Sequence, residues 1–439
     1  MPADFLQGLL PDHLVFALLV ALMPLEMLRV GAAWGRVLFA AVMLAGLGIA
    51  LQQAGAGYAA AILPGEVRVD ALALYGKAIV LGCGFAVALA FRDPSDFKFW
   101  LLSAGAVLGA LLVLDSAGFA VLFIGLELLS LPVFGLMVIG RGRSAATEGA
   151  FKYLLMSAVG TALFMFGVSL AYGVTGSLAI DRFTAALADG GARMQAAALL
   201  VLCGLLLKAA VFPFHAWAPD AYASAGLPVT ALMASAVKTA VVLALVRVFG
   251  IGPLPAAVTL AVTVLAIASI AFGNLAALGQ TRFRRLLAYS SIAHAGYMAF
   301  VLVDTTGSRT TDLLWYTGIY ALTTVLACAS FARLCPEEDD RLEALDGKFA
   351  RRPAAALLLA FAVLSLAGLP PFPGFFAKLL VFRSVIASGE LVPAILAFAG
   401  SFLGLAYYLG IVVRLFRSDT GRTAAAAPMT PVAEDEAVA

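Results

Sequence analysis

The sequence is poor in charge and in the residues that bind metals. Only 12% of its 439 residues are charged, whereas soluble globular proteins carry roughly 25%. It has three histidines and four cysteines, and the sequence contains no Cys-x-x-Cys pair and no His/Cys cluster with metal-ligand spacing. These shortages argue against a soluble enzyme and against a metal or iron–sulfur centre held by this chain.

Nucleotide-binding and nucleic-acid-binding signals are also missing from the sequence. There is no GxxxxGK[ST] loop and no GxGxxG segment opening a βαβ unit. The net charge of +2 comes without a basic stripe, so no nucleic-acid partner is expected. We predict no cofactor in this chain: NADH, flavin, haem and metals are all unsupported. If the chain moves ions, partner proteins must supply the energy.

Long apolar runs dominate what is present. The chain is 63% apolar with a mean hydropathy of +1.02, and runs of about 20 residues are the length of a membrane span. The pattern predicts an all-α integral membrane protein, embedded in a lipid bilayer, with a disordered tail at 418–439. We place thirteen spans near 8–28, 33–53, 70–91, 97–114, 117–140, 148–174, 195–217, 226–249, 254–278, 285–303, 311–334, 353–386 and 391–416.

Basic residues predict the orientation of these spans. With the N-terminus outside and the C-terminus inside, eighteen of the 28 lysines and arginines fall in inside connections and six in outside ones. Inside connections of membrane proteins are enriched in lysine and arginine. The count therefore favours an odd number of spans.

Two spans carry a proline break at corresponding places. Pro213 interrupts one span after Lys208, and the segment LPPFPG at 369–374 interrupts another before Lys378. Each break lies in the fourth span of a group of five, so the groups cross in opposite senses, as in an inverted repeat with an ion site at the break. We divide the chain into three N-terminal helices (1–96), a first five-helix unit (97–250), a second five-helix unit (251–417) and the tail (418–439).

Four ionisable residues lie alone inside apolar spans: Glu127, Lys208, Lys238 and Lys378. A charge there costs at least ~2.5–3.5 kcal/mol, so such residues usually line an ion or proton path. Glu127 and Lys208 share a unit and are expected to pair, either as a switchable proton carrier or as a static ion pair that fixes helix packing. Lys238 has no acidic neighbour in sequence.

Other polar residues leave more than one interpretation open. His294 has the place in the second unit that Glu127 has in the first, and suits either a proton relay or hydrogen-bonded packing. His215 could order the break or pass protons to Lys208, with a structural role favoured. Lys152 could reach the inner interface or serve as an outer member of the path. Lys77 is expected to snorkel to the membrane surface.

Several blocks resemble those of a known family. These blocks are LELLSL (126–131), FKYLL (151–155), YGVTGS (172–177), LLKAAVFPFHAWAPDAY (206–222), LPVTALMASAVK (227–238), NLAALGQTRFRRLLAYSSIAHAGY (274–297) and LSLAGLPPFPGFFAKLLVF (364–382). Through them the chain resembles subunit N of bacterial proton-pumping NADH–quinone oxidoreductase, respiratory complex I, and two of the blocks are shared with the wider antiporter-like superfamily.

The resemblance implies a role for each candidate residue. Glu127 and Lys208 would form the ion pair of a first half-channel, Lys238 the central relay, and Lys378 the lysine of a second half-channel. His294 would lie on the polar axis between them. NADH, flavin, iron–sulfur clusters and quinone are expected in partner subunits, whose quinone reduction would drive pumping. The implied partners are antiporter-like subunit M and small membrane-arm subunits, in the bacterial inner membrane.

Two departures and two alternatives accompany this interpretation. The segment ASAGLP at 223–228 replaces the family's usual acidic link, and the chain has thirteen spans where fourteen are common. Both put peripheral contacts in doubt rather than the path. One alternative is a subunit of a Mrp-type sodium/proton antiporter. The other is a membrane scaffold whose lysines only hold helices together.

Overall fold

The computed structural model describes residues 2–91, 96–139, 144–250, 252, 254–335 and 339–417, which are almost entirely helical. The predicted tail at 418–439 lies outside the described residues, as do Arg92, Arg141, Arg143 and Arg422 of the charge count.

The N-terminal part contains four helices and a small antiparallel hairpin. The hairpin crosses one end of the helices, where its second strand is joined to the end of the first helix of the next unit by a bridge between Val67 and Ser116. The elements are α1 (Pro2–Gly8), α2 (Leu10–Met27), α3 (Ala32–Gly55), β1 (Ala60–Leu63), β2 (Val67–Val69) and α4 (Ala71–Ala90).

The first unit ends in one continuous helical segment that includes a turn of π-helix. Its elements are α5 (Phe97–Asp115), α6 (Phe119–Ile139), α7 (Ser144–Thr175), a short amphipathic α8 (Ile180–Ala188), α9 (Ala192–Lys208), α10 (Trp217–Ser224), and α11 (Leu227–Leu232), the π-helix (Met233–Val237) and α12 (Lys238–Phe249).

The second unit repeats this order of long and broken helices. Its elements are α13 (Ala256–Leu278), α14 (Phe283–Phe300) with a 3₁₀ turn (Val301–Val303), α15 (Arg309–Leu334), a 3₁₀ turn (Leu342–Leu345), α16 (Lys348–Arg351), α17 (Pro353–Ala367), α18 (Pro373–Ala387) and α19 (Leu391–Phe416).

The predicted all-α membrane fold is confirmed. Eleven of the thirteen predicted spans are helical segments of the described chain that are long and apolar enough to cross a membrane. The broken pairs α9/α10 and α17/α18 stand where the other two of the thirteen were placed. In the segments Leu227–Phe249 and Phe283–Val303, 94% of the residues in an apolar 18-residue stretch are buried. These two segments form the centre of the molecule and carry Lys238 and His294.

Glycines let the first two helices of each unit meet backbone to backbone. A Cβ added to Gly109 on α5 would lie 2.3 Å from the backbone nitrogen of Leu129 on α6. A Cβ on Gly273 of α13 would lie 2.6 Å from the backbone nitrogen of Ala293 on α14. Small residues at such crossings are the usual way membrane helices pack closely, and both units use them at the same place.

Polar contacts at the helix ends define two faces of the molecule. On the N-terminal face, Asp12, Asp70, Asp115 and Arg247 lie at or near the ends of α2, α4, α5 and α12. Residues at the opposite ends, Glu26 with Lys98 and Arg284 with Asp340, define the C-terminal face. The first unit therefore runs from the C-terminal to the N-terminal face, and the second, which ends with Arg414 near Asp346, runs back.

The break in the first unit begins earlier than predicted. Helix α9 ends at Lys208 itself, five residues before Pro213, because Ala210 adopts a positive φ of 59°. Such a residue closes many helix C-termini. After the proline the chain forms the short helix α10.

Candidate functional site

Lys208 and Glu127 are in contact, as the sequence predicts. The Lys208 Nζ lies 3.2 Å from Glu127 Oε1 and donates to the hydroxyls of Ser130 at 3.3 Å and Ser157 at 3.0 Å. Thr161 donates a 2.6 Å hydrogen bond to the same carboxylate oxygen. The Lys208 side chain is 5% exposed and that of Glu127 is 31% exposed. The carboxylate thus borders the surface of this chain while the ammonium is enclosed.

The helix end adds to the stabilisation of the Lys208 charge. Lys208 is the last residue of α9, at the helix end where the dipole favours a cation. The loop after it is fixed by Trp217, whose Nε1 donates to the Leu207 carbonyl at 2.9 Å, and by the Phe212 amide, which donates to Ser269 Oγ at 3.2 Å. The ammonium is therefore held at a defined point of the break.

Lys152 lies nearer to solvent than the other candidates. Its Nζ is 2.8 Å from Glu148 and 2.8 Å from Asp220, and its side chain is 44% exposed. Asp220 belongs to α10, so this ion pair joins α7 to the far side of the break. Both parts of the open prediction, the interface and the outer end of a path, are compatible with this position.

Lys238 is held by hydroxyl and carbonyl oxygens. Its Nζ donates to the Ser291 carbonyl at 2.8 Å and to Ser291 Oγ at 2.5 Å. The hydroxyl of Tyr222 lies 3.3 Å from the same Oγ. Among the described residues no carboxylate pairs with it. The π-helix Met233–Val237 directly precedes Lys238, and such segments are frequent at functional sites.

A small cavity lies between Lys208 and Lys238. Its volume is about 20 Å³; a water molecule needs on the order of 10–15 Å³ and two to four polar partners. Hydroxyl groups from three helices supply those partners. They are Ser130, Tyr153, Ser157 and Tyr222. A water here would bridge the two ammonium groups.

His294 is enclosed by tyrosines. Its Nδ1 lies 2.9 Å from the Tyr316 hydroxyl and its Nε2 lies 3.5 Å from the Tyr408 hydroxyl, which is also hydrogen-bonded to Ser290. The ring of Tyr320 packs 4.8 Å from the imidazole centroid. A cavity of about 10 Å³ separates the imidazole from Ser365 and Gly374 at the second break. The side chain is thus hydrogen-bonded and adjacent to the second half of the molecule.

Lys378 lies at the second break without a carboxylate partner in the described part of the chain. Its Nζ donates to the Ala367 carbonyl and to Ser401 Oγ, both at 2.8 Å, and lies 5.1 Å from the Tyr297 ring centroid. Gly368 makes room for it. That residue has a φ of 80°, and a Cβ there would lie 2.8 Å from the lysine Cδ.

His215 is packed among aromatic rings. Its imidazole lies 5.3 Å from the Phe212 ring and 4.5 Å from the Phe272 ring. Its buried Nδ1 has no hydrogen-bond partner among the described residues. No contact in this part of the chain joins it to Lys208. The environment matches the favoured structural interpretation better than a relay.

The snorkelling prediction for Lys77 is wrong. Its side chain is 0% exposed, and its Nζ lies 2.5 Å from Asp12 and 2.6 Å from Asp115. Both acids come from other helices, α2 and α5. The available signal was their position: all three residues lie within about two turns of the same predicted membrane face. The hydropathy of a single sequence does not predict contacts between residues on helices so far apart in the chain.

Sequence reasoning also missed the hydroxyl groups that surround the lysines and His294. Serine and tyrosine are common in apolar helices, so nothing in the pattern distinguishes these from other copies. The ones that matter are Ser291, Ser401, Tyr222, Tyr316 and Tyr408. No cluster of three or more potential metal ligands occurs among the described residues.

A family model matches most of the chain. Residues 116–404 match the family described as NADH:quinone oxidoreductase/Mrp antiporter, transmembrane. The match covers both broken helices and all seven candidate residues.

Two relatives match over most of their length. The chain is 52% identical over 421 residues to the NADH-quinone oxidoreductase subunit N of Pelobacter propionicus, which covers 95% of this chain and 90% of that protein. It is 39% identical to the NADH-quinone oxidoreductase subunit 14 of Thermus thermophilus, over 80% of this chain and 78% of that protein.

Solved structures share the fold. A chain of respiratory complex I from Thermus thermophilus with bound aureothin matches with a TM-score of 0.81 and 33% identity, over 93% of this chain and 90% of that one. A chain of the Mrp complex from Dietzia sp. DQ12-45-1b matches with a TM-score of 0.85 over 94% and 81%, and its 22% identity indicates the fold alone. On the identity that extends over nearly all of both chains, this protein belongs to the NADH-quinone oxidoreductase subunit N family, within the antiporter-like membrane proteins.

Proposed function

We propose that this chain is a proton-translocating membrane-arm subunit of bacterial NADH–quinone oxidoreductase. The observation that supports it most is the series of enclosed ionisable groups from Glu127 and Lys208 through Lys238 and His294 to Lys378. Hydroxyl groups and water-sized cavities fill the gaps between them. A static scaffold needs its charges paired, and two of these lysines have no carboxylate partner in the described chain.

Protons move along this axis by changes in pairing. When Glu127 and Lys208 separate, the ammonium loses its counter-charge and can release a proton toward the cavity it shares with Lys238. When Lys238 takes up this proton, its positive charge repels the proton on the following group of the axis. Two like charges interact strongly in a low-dielectric interior. His294 and its tyrosines then connect Lys238 to Lys378. In this scheme Lys152 is an accessory entry group and His215 orders the break.

The two units are the two halves of the channel. Residues 97–250 supply Glu127, Lys208 and Lys238, residues 251–417 supply His294 and Lys378, and residues 1–96 flank the first half. The C-terminal face faces the cell interior, with the N-terminus outside, because the basic connections cluster there. The membrane is the bacterial inner membrane.

Partners supply both the cover for Glu127 and the energy. A carboxylate that is 31% exposed at membrane depth would be costly against lipid, so another membrane-arm subunit covers it. The relatives are named as subunits of NADH-quinone oxidoreductase. We assign to those partner subunits the NADH, flavin, iron–sulfur and quinone chemistry that drives the axis, and to antiporter-like subunit M and the small subunits the lateral contacts. The enzyme is thus a translocase in which this chain carries no redox step.

The proposal is tested by replacing Lys238 with methionine in the intact complex. The matched control is Lys98→Met, which removes an exposed lysine that lies 3.9 Å from the Glu26 carboxylate. In proteoliposomes we expect Lys238→Met to reduce NADH-driven proton uptake by about tenfold or more, because a required proton carrier is lost. Lys98→Met should retain full uptake. Full uptake in an assembled Lys238→Met complex would support the scaffold alternative and refute the proposal.

Removing sodium ions from the same assay distinguishes this proposal from the Mrp-type antiporter alternative. Proton uptake by this chain should not depend on sodium. Uptake that falls when sodium is removed would favour the antiporter assignment.

A further inference from the structure

We infer that Asp12, Lys77 and Asp115 form a buried proton-binding site that is separate from the axis and exchanges its proton with the N-terminal face. The three side chains come from α2, α4 and α5 and are 8%, 0% and 0% exposed. No step of the proposed axis uses them.

The charge count of the cluster requires a proton. One ammonium lies between two carboxyl groups, at 2.5 Å and 2.6 Å, so with both acids ionised the cluster carries a net negative charge in an apolar interior. Such a charge is expensive to bury, and a carboxyl group in this situation takes up a proton instead.

Unused acceptor oxygens in the cluster agree with this count. Asp12 Oδ1 and both oxygens of Asp115 are buried and have no hydrogen-bond partner among the described residues. A fully ionised carboxylate in an apolar site normally has donors on both oxygens. Protonation of one carboxyl group lessens this shortage, because the group loses its charge and gains an O–H donor of its own.

Neighbouring basic side chains do not supply the missing positive charge. Arg247 on α12 donates to the Leu114 carbonyl beside Asp115, but its charge pairs with Asp70. Arg68 on β2 is within 3.2 Å of Asp70 and 3.5 Å of Asp181. Each of these cations therefore has an acidic partner of its own.

The remaining ionisable groups of the surrounding elements are few. Glu66 precedes β2, and its Oε2 lies near Gly118. His13 follows Asp12 and packs its ring 5.2 Å from that of Phe5. Helix α15, which packs on α4, begins with Arg309, which donates to three backbone carbonyls, and Asp312, which accepts from Ser308. In this half of α3 the polar side chains are uncharged glutamines.

The position of the cluster sets the side on which it exchanges protons. Asp12 lies in the first turn of α2 and Asp115 is the last residue of α5, both at the N-terminal face. The hairpin lies over this end through the bridge between Val67 and Ser116. Asp12 retains 8% exposure, whereas Asp115 and Lys77 have none. Protons therefore enter and leave through Asp12.

Infrared difference spectroscopy of the whole complex tests this site. We expect a C=O stretch of a protonated carboxyl group, sensitive to deuterium exchange, to be lost in Asp12→Asn and in Asp115→Asn, because each leaves one carboxylate paired with one ammonium. Lys77→Met should instead increase this band by about twofold, since both acids then become neutral. Asp181→Asn, which removes an exposed carboxylate at the same face (63% exposed), is the matched control and should leave the band unchanged.

Other outcomes overturn the inference. An unchanged spectrum in assembled Asp12→Asn and Lys77→Met would mean that both acids are ionised and the cluster is a static ion pair. A missing band together with sodium-dependent thermal stability would assign the cluster to a metal cation. If Asp115→Asn fails to assemble, the other two variants decide the question. Lys238→Met should keep the band even where proton uptake is lost, so failure of the axis and failure of this site are distinguishable.

Discussion

The two five-helix units place a lysine at the same kind of break but stabilise it differently. Lys208 in the first unit has the Glu127 carboxylate at 3.2 Å and two serine hydroxyls. Lys378 in the second has a backbone carbonyl, Ser401 Oγ and the face of Tyr297. Lys238, between them, resembles the second case, with Ser291 alone.

This difference in partners should affect how readily each lysine gives up its proton. A carboxylate partner holds an ammonium by charge attraction, and removing the partner leaves a costly buried ion. Hydroxyl and carbonyl oxygens accept hydrogen bonds from a lysine in either protonation state, so they favour the charged form less than a carboxylate does. We therefore expect Lys208 to hold its proton until the pair opens, and Lys238 and Lys378 to pass theirs on.

Arginine substitutions test this comparison with the largest expected effect. Lys208→Arg preserves the ion pair with Glu127 but cannot release a proton, because guanidinium stays charged in proteins. We expect proton uptake to fall by about tenfold or more while thermal stability stays near that of the parent. Lys378→Arg should reduce proton uptake to the same extent. It should also lower thermal stability, since no carboxylate in the described chain balances the permanent charge. Normal uptake in either assembled variant would show that its lysine need not deprotonate.

Glu127→Gln removes the feature that distinguishes the first unit. It leaves Lys208 without a counter-charge, and we expect stability to fall by about 2 kcal/mol, less than the roughly 3–5 kcal/mol of a fully buried pair because the carboxylate is partly exposed. Proton uptake should fall as well. Thermal unfolding and uptake of the assembled complex measure the two effects. Ser401→Ala in the second unit is the reference, and an equal loss of stability there would remove the contrast between the units.

The Arg247–Asp70 ion pair lies outside the proposed axis and shows how a carboxylate partner contributes to stability. Burial pushes the pKa of Asp70 up, but hydrogen bonds and charge from Arg247, the amide of Ala73 and the charge of Arg68 bring it below 3.8. The pair therefore contributes stability above pH 3.8 that is lost as the pH falls through the lower folded value.

Asp70→Asn leaves one oxygen to accept from the Ala73 amide at the helix cap, and it removes the charge and one of the two acceptor oxygens that bind Arg247. We expect a loss of about 2 kcal/mol near neutral pH that shrinks as the pH approaches and passes below the native pKa. Thermal unfolding of variant and parent across pH measures it, and proton uptake should be unchanged. A loss that did not depend on pH would mean that the charge of Asp70 is not its source.

Single hydroxyl deletions give the smallest expected effect. Ser401→Ala removes one of two hydrogen bonds to Lys378, and Ser157→Ala removes one of three polar contacts to Lys208. We expect about 1 kcal/mol for the first and less for the second. Uptake rates at several pH values should shift more for Ser401→Ala. The opposite ranking would indicate that the carboxylate does not dominate at Lys208.

Hydropathy and proline positions predicted the spans, both breaks and the contact of Glu127 with Lys208. That contact was predictable because the first unit has one deeply placed acid in its spans. Lys77 was mispredicted because its depth in one helix says nothing about acids on two others. The π-helix before Lys238 was not predictable either, since Met233–Val237 reads as ordinary apolar helix. Local pattern finds the ionisable groups, and only packing reveals what surrounds them.

The glycine crossings have a mechanical consequence. At Gly109 and Gly273 the backbones of α6 and α14 lie so close that a single added Cβ would clash with them. Such close packing resists sliding, so we expect each of these helix pairs to move as a rigid unit. We expect motion during turnover in segments where the backbone is irregular, and three of these, 209–216, 233–237 and 368–372, lie next to Lys208, Lys238 and Lys378. In the proposed function, the flexible points of the chain and its proton carriers would then coincide.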